Sequence, residues 1–311
     1  MLGVDRVSLR ADPDRRRWGA TDDETTGVNF GALDGVDMTR TVLITGCSSG
    51  IGRASANAFL EEEWTVYATA RNPADIQTLG DHDDCEIATL DVTDEEDIER
   101  VVDRMLDEEG RIDALVNNAG YGQMGPIEDV PTEAVRDQFE VNVYGPHRLI
   151  REVLPAMRRR EDGAIVNVSS AAGRIAFPGG GVYCGSKYAI EAMSDALRNE
   201  VREYGITVSL IEPGPVETGF ESRVESEIDG LDRSGAYESF YDLVEDYDAI
   251  GGGGFAAVEP ERVAEDVVDA ASSTKPPARY PVGPLATVAE VGRFVPTRIA
   301  DSLWSFASRL S

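Results

Sequence analysis

Lysine is nearly missing from this chain. Of its 29 basic residues two are lysine, Lys187 and Lys275, and the rest are arginine. Against them stand 58 acidic residues, which leaves a formal net charge of −29 at pH 7. A field of that sign repels nucleic acid and anionic membrane surfaces, so neither is an expected partner. The acids run along the whole chain instead of gathering in a tail, as a solvated acidic surface would. Together with the shortage of lysine this points to a halophilic protein, working where salt screens charges within ~3 Å at 1 M. Cysteine is also scarce. Cys47, Cys85 and Cys184 are odd in number and show no CxxC spacing, which excludes a disulfide framework and a zinc site and fits a reducing cytoplasm. No apolar run approaches the ~18 residues of a membrane span. The opening MLGVDRVSLRADPDRRR lacks the apolar stretch of a secretory signal.

What is present begins beyond residue 37. Residues 1–37 are rich in Asp, Arg, Gly and Thr without periodicity and read as a disordered leader. MTRTVLITG, from Met38, is a natural beginning for a folded domain, which makes Met38 a candidate for the true start. From there one domain, 38–311, is expected. Short apolar runs, TVLIT (41–45), TVYATA (65–70), CEIATLD (85–91), ALVNNA (114–119), AIVNVSS (164–170) and ITVSLIEP (206–213), alternate with helical patterns. One of these, DEEDIERVVDRMLDEEG (94–110), has an acidic first turn and a terminal glycine. Near-continuous apolar strands alternating with helices predict an α/β fold, a doubly wound, mainly parallel sheet with helices on both faces. ARYPVG (278–283) is expected to add a seventh strand. Residues 216–258 break the rhythm. They are acidic yet hold Phe220, Tyr237, Phe240, Tyr241, Tyr247 and Phe255, and the glycine run at 251–254 follows no strand and reads as a flexible joint. A last helix from Pro296 to Ser311 carries Ile299, Leu303, Trp304, Phe306 and Leu310, within a C-terminal extension over 285–311.

TGCSSGIG (45–52) follows the first strand and opens a helix predicted at 50–63. Its glycines let backbone approach a pyrophosphate resting on the helix N-terminus. The spacing, Gly46, Gly50 and Gly52, is GxxxGxG, and it resembles the short-chain dehydrogenase/reductase family. That resemblance implies a three-layer Rossmann fold and a dinucleotide held by Gly46, Ser48, Ser49, Gly50, Ile51 and Gly52. At the end of the second strand, where a carboxylate would take a ribose hydroxyl and favour NAD, the chain reads ATAR. Ala70 stands in the acid's place and Arg71 follows, a guanidinium suited to a 2′-phosphate. NADP(H) is therefore the expected cofactor, with NAD(H) possible and Arg53 a candidate helper. In the family, Asp91 and Val92 lie against the adenine, while NNAG (117–120), with Asn117, Ala119 and Gly120, steadies the sheet and lines the cofactor floor.

Tyr183 and Lys187 are four residues apart and share one face of a helix predicted to run to about Tyr204, with Gly205 as its stop. Ser170 precedes Tyr183 at the end of the fifth strand, where ligands bind in open α/β sheets. A free phenol titrates near 10. A nearby ammonium favours the phenolate, which suits the phenol to donate a proton to an alkoxide and to recover it. A compact amine can reach both the phenol and ribose hydroxyls, where a bulky guanidinium cannot. The family's SxxG pattern selects Ser170 over Ser169, because Gly173 lies three later. Asn142, in FEVNVYG, matches the asparagine that holds a water behind the lysine. PGPVET (213–218) supplies Pro213, Gly214 and Val216 to the cofactor, and Thr218 matches the contact to the nicotinamide carboxamide, with helix capping as its alternative role. The match in order and spacing covers about 41 to 218.

The resemblance also makes 216–258 a substrate lid, whose aromatics suggest a partly apolar ketone, aldehyde or alcohol as the small-molecule substrate. The glycines at 179–181 leave room for bulk beside Tyr183, and Tyr121, Gln123 and Met124 are candidate pocket residues. ARYPVGP (278–284) resembles the branch that contains hydroxysteroid and retinol dehydrogenase-like members. A homodimer or homotetramer is the family habit. One alternative to an oxidoreductase is a relative that keeps the nucleotide fold as a redox sensor or scaffold without turnover, against which the intact set Asn142, Ser170, Tyr183 and Lys187 speaks; a second is a lyase or epimerase that uses the same nucleotide without net turnover.

Overall fold

A computed structural model describes residues 39–238, 240–241 and 257–307. The expected leader, the glycine run at 251–254 with Tyr247 and Phe255, and residues 308–311 lie outside the described residues. Seven strands form one sheet: β1 (Thr41–Thr45), β2 (Thr65–Ala70), β3 (Cys85–Thr89), β4 (Ala114–Asn117), β5 (Gly163–Val168), β6 (Ile206–Pro213) and β7 (Arg279–Val282). Their order is β3-β2-β1-β4-β5-β6-β7. Every pairing is parallel, so the sheet is wholly rather than mainly parallel.

Both faces are covered, as the unbroken apolar runs require. The period-two alternation of a strand sends Val42 and Ile44 of β1 into one core and Leu43 into the other. Helix α1 (Gly50–Glu61) brings Ala56 and Phe59 to the first core. Helix α2 (Glu95–Glu109) brings Ile98, Val101 and Met105 to the second. Beyond it come α3 (Thr132–Phe139) and α4 (Gly145–Arg160), whose Leu149, Val153 and Met157 share that second core. The chain continues through α5 (Gly181–Glu200), α6 (Phe220–Asp229), α7 (Pro260–Ser272), α8 (Pro284–Gly292) and α9 (Thr297–Ala307). Val263, Val267 and Ala270 of α7 complete the first core. Full burial of such an aliphatic side chain stabilises by roughly 1.5–3 kcal/mol.

Local signals set the ends of these elements. The Asp94 carboxylate accepts the Glu96 amide at 2.9 Å and starts α2, and Gly110 at φ 71° stops it. Helix α5 ends at Glu200, earlier than its apolar spacing predicts, and a 3₁₀ turn, Arg202–Tyr204, leads to Gly205 at φ 69°. A β-carbon there would lie 2.3 Å from the Glu161 carbonyl oxygen, so only glycine lets the chain enter β6.

Strand order reverses between β1 and β4, which opens a crevice at the carboxyl ends of the strands. Residues 216 and 258, at the two ends of the segment that breaks the sequence rhythm, pair as a parallel bridge. The Glu217 amide donates to the Val258 carbonyl and the Val258 amide to the Pro215 carbonyl, both at 3.0 Å.

Candidate active site

Ser49 is extended at the N-cap of α1 and its side chain makes no cap hydrogen bond, so the first-turn amides face the crevice without a side-chain partner. Gly46 and Gly50 have φ of 76° and 53°, in the left-handed region. The loop is closely held. The Asn118 amide nitrogen donates to the carbonyls of Thr45 (2.9 Å) and Gly46 (3.2 Å), and the backbone amides of Asn118 and Ala119 donate to the Thr45 hydroxyl. A β-carbon on Gly52 would stand 2.3 Å from the Gly46 carbonyl oxygen. Gly52 therefore serves close packing of the loop, behind the crevice wall formed by Gly46, Ser48, Ser49, Gly50 and Ile51.

Arg71, just past β2, lies in the crevice wall, is exposed, and has no hydrogen-bond or ion-pair partner among the described residues. Arg53 does not join it. Its guanidinium donates to the Thr78 hydroxyl at 3.2 Å and to the Asp75 carbonyl, which ties α1 to the chain after β2. Asp91 and Val92 line the crevice beyond β3. One Asp91 oxygen accepts the Thr93 amide and hydroxyl, at 2.9 and 2.7 Å. Ala119, Gly120, Pro213, Gly214, Val216 and Thr218 complete this side. The Thr218 hydroxyl accepts the Phe220 amide at 3.2 Å, but Gly219 stands at the N-cap of α6, so the alternative capping role does not fall to Thr218.

Besides Gly52, two predicted residues stand back from the crevice, Asn117 and Asn142. Asn117 donates to Asn167 at 2.8 Å, and Asn167 to the Ser194 hydroxyl at 2.8 Å, an amide chain from β4 through β5 to α5. Asn142 sits in a π-helical turn, Glu140–Tyr144, between α3 and α4. Its side chain accepts the Tyr121 amide (3.1 Å) and donates to the Tyr121 carbonyl (3.0 Å) and the Ser186 hydroxyl (3.1 Å). The extra residue of a π turn aims that amide at α5.

Tyr183 and Lys187, one turn apart on α5, are each 8 % exposed and both line the crevice. The Lys187 ammonium donates to the Val168 carbonyl at 2.9 Å and lies 5.8 Å from the centre of the Tyr183 ring. Burial pushes Lys187 down to about 8, opposed by the Glu191 carboxylate. Ser170 is extended and its oxygen accepts the Ala172 amide at 3.1 Å; its hydroxyl hydrogen meets only a long 3.5 Å contact to the Pro213 carbonyl. Ser169, its neighbour, also lines the crevice but is buried.

The crevice encloses about 1610 Å³, above the roughly 300–1,000 Å³ of an ordinary ligand pocket and enough for two ligands side by side. Tyr121, Gln123, Met124, Phe177, Phe220 and Phe240 wall its outer part. The expected room over residues 179–181 is not there. A β-carbon on Gly179 would fall 1.9 Å from the Phe240 ring, on Gly180 2.3 Å from Phe177, and on Gly181 2.8 Å from Ile127. These glycines admit side chains of the protein, not bulk of a substrate.

The model of the family described as short chain dehydrogenase matches residues 40–229. The chain belongs to that family. Among curated relatives of this short-chain dehydrogenase are the uncharacterized oxidoreductase YbbO of Escherichia coli, 36% identical over 87% of this chain and 96% of that one, and the 3-ketodihydrosphingosine reductase of Bacteroides thetaiotaomicron, 34% identical over 79% and 89%. Human retinol dehydrogenase 8 is 34% identical over 77% and 80%. Among solved structures, a short-chain dehydrogenase from Streptomyces avermitilis superposes with a TM-score of 0.74 at 34% identity, covering 87% of this chain and 98% of that one. The closed form of serine dehydrogenase complexed with NADP+ superposes with 0.65 at 30% identity, covering 77% and 92%. A nicotinamide dinucleotide fits the site of this short-chain dehydrogenase, where the start of α1 carries no side-chain cap and Arg71 has no partner among the described residues.

Asn118 and Glu191 were not singled out by sequence reasoning. Asn118 could have been found inside NNAG; Glu191 carries no local signal, because its importance comes from partners distant in sequence.

Proposed function

We propose that this short-chain dehydrogenase interconverts a ketone or aldehyde and its alcohol with NADP(H), and that Tyr183 is the general acid and base. The observation that carries the reading is the buried Lys187 ammonium held over the Tyr183 ring at the crevice floor. Gly46, Ser48, Ser49, Gly50 and Ile51 would hold the pyrophosphate end, Arg71 a 2′-phosphate, Asp91 and Val92 the adenine, and Ala119, Gly120, Pro213, Gly214, Val216 and Thr218 the remainder. Asn117 and Gly52 act on the cofactor by shaping the floor and the loop. When bound, the dinucleotide supplies or accepts a hydride at the carbonyl carbon.

Ser170 donates its hydroxyl hydrogen to the substrate oxygen and orients it. In reduction the Tyr183 phenol gives its proton to the oxygen as negative charge develops there; in oxidation the phenolate takes the proton back. Lys187 favours the phenolate through its charge and, at 2.9 Å from the Val168 carbonyl, is kept from swinging away. Asn142 holds Tyr121 and the Ser186 hydroxyl one helical position before Lys187 and thereby sets the floor behind the amine. The apolar wall of Met124, Phe177, Phe220 and Phe240 supports a partly hydrophobic substrate and excludes water around the reacting atoms.

The test is to incubate the protein with NADPH and a panel of ketones and aldehydes in molar salt and to follow nicotinamide absorbance. Tyr183→Phe is expected to lower kcat by ~10²–10⁴ with little change in NADPH affinity. An unchanged kcat would remove the phenol from the mechanism.

A further inference from the structure

Behind the catalytic face of α5 lies a group of charges that the proposed reaction does not use. Glu212, at the end of β6, is fully buried. Glu191, one turn beyond Lys187, and Arg174, just after the turn that follows Ser170, are also buried. Arg279 of β7 faces them. The Arg279 Nε stands 3.0 Å from Glu212 Oε1 and donates to Glu191 Oε2 at 3.1 Å, and its Nη2 reaches Asp195 at 2.8 Å. Arg174 reaches Glu191 at 3.6 Å and Glu212 at 3.5 Å. Glu191 Oε1 and both Glu212 oxygens have no hydrogen-bond partner among the described residues. Four structural pieces meet here: the loop with Ser170, helix α5 with Tyr183 and Lys187, the end of β6 that runs into the crevice-lining Pro213 and Gly214, and β7.

We infer that Glu191 and Glu212 work as one carboxyl pair holding a single proton between Arg174 and Arg279, and that this pair positions the Ser170 loop and Lys187 for the reaction. Two buried carboxylates that share Arg174 and Arg279 repel each other, and buried oxygens without a hydrogen-bond partner are costly; one proton bound between the two groups removes the repulsion and gives two of the three oxygens a partner. Burial first, and then the Glu191 charge, push Glu212 up to about 7, in line with a proton resident on the β6 side. The Glu191 carboxylate is the group whose charge acts on Lys187. The loop is tied to the pair through Arg174 and through the Tyr188 hydroxyl of α5, which donates to the Arg174 carbonyl at 2.7 Å. Gly173 belongs to the same device: a β-carbon there would come within 3.0 Å of the Glu191 stem and 2.8 Å of the Ser169 hydroxyl, so the loop could not lie flat on α5. The charged groups facing the pair are Arg174 from the loop, Lys187 and Asp195 from α5, the latter shared with Arg198, and Arg279 from β7.

The catalytic half of this inference rests on the proposed carbonyl–alcohol reading; the shared proton does not. Infrared titration of the full chain is expected to show an un-ionised carboxylic acid at pH 6 that fades near pH 7, and Glu212→Gln is expected to lack it. Absence of the band in the unaltered protein, or its persistence in Glu212→Gln, would overturn the pair. The positioning role is read from the pH dependence of kcat in Glu191→Gln. With the negative charge gone from the turn above Lys187, the Tyr183–Lys187 pair loses its proton more easily. The profile is expected to move to lower pH by up to roughly one unit, for charges one helical turn apart, while KM for NADPH holds within about twofold. A profile superimposable on that of the unaltered protein would overturn the role. If no carbonyl is turned over at all, the proposed function falls, and the infrared result still decides the shared proton. The unaltered-protein titration and Glu191→Gln keep the test complete should Glu212→Gln not fold.

Discussion

Lys187 shows how much one side chain is asked to do in a chain that otherwise avoids its type. Its buried ammonium titrates near 8 instead of the ordinary ~10.5, so the folded protein binds that proton less tightly than the unfolded chain does. The sign follows: stability is intact above the ordinary lysine range and is lost as pH falls toward 8. Lys187→Met is therefore expected to raise the melting temperature at neutral pH by several degrees while abolishing turnover, which paired thermal melts and NADPH assays check. Lys187→Arg keeps the charge but not the shape; it is expected to lose most of the activity, and full activity in that variant would show that bulk at this position is harmless. At the other end, Arg71→Ala is expected to lower kcat/KM for NADPH by about tenfold or more and to leave NADH nearly unaffected, since a charge-assisted contact is worth roughly 1.5–3 kcal/mol. A variant that loses equally with both cofactors would detach Arg71 from the 2′-phosphate.

At the scale of elements, hydrophobic period and end signals were enough to read the sheet. The strands fall within a residue or two of the apolar runs, and Asp94 and Gly110 bound α2 as their chemistry requires. The helix face of Tyr183 and Lys187 was equally legible, because i,i+4 spacing is a local property. What escaped notice depends on long-range partners. Glu191 and Ser194 lie on the buried side of α5 because each meets a group from a strand, Arg279 of β7 and Asn167 of β5. Glu212 looked like the polar end of an apolar run, since its partner Arg279 is far away in sequence. The glycines at 179–181 promised open space, which rings and an isoleucine from other segments fill. Gly179→Ala tests that contact: with φ at 75° and the Phe240 ring in the way, it is expected to displace Phe240 and change KM for bulky ketones without changing KM for NADPH. An identical substrate series for both proteins would separate Phe240 from the substrate wall.

Over the whole molecule, charge dominates. A net charge of −29 makes the folded state repel itself, and salt weakens that repulsion. The melting temperature is expected to climb steadily between dilute buffer and molar potassium chloride; a flat response would withdraw the salt-adapted reading. Glu212 adds a pH dependence of known sign, because a buried carboxyl held above its ordinary range contributes stability at acid pH that is lost as pH rises through about 7. The bridge between Val216 and Val258 has a consequence of a different kind. It brings the exit and the return of the intervening chain side by side at the rim, like the two posts of a gate. Whatever hangs between those posts can be lengthened, shortened or traded for the corresponding piece of a relative without disturbing the strands beneath, as loop closure changes only slowly with length. Evolution, or an engineer, could thus exchange a single stretch of the crevice wall and leave the sheet below it alone.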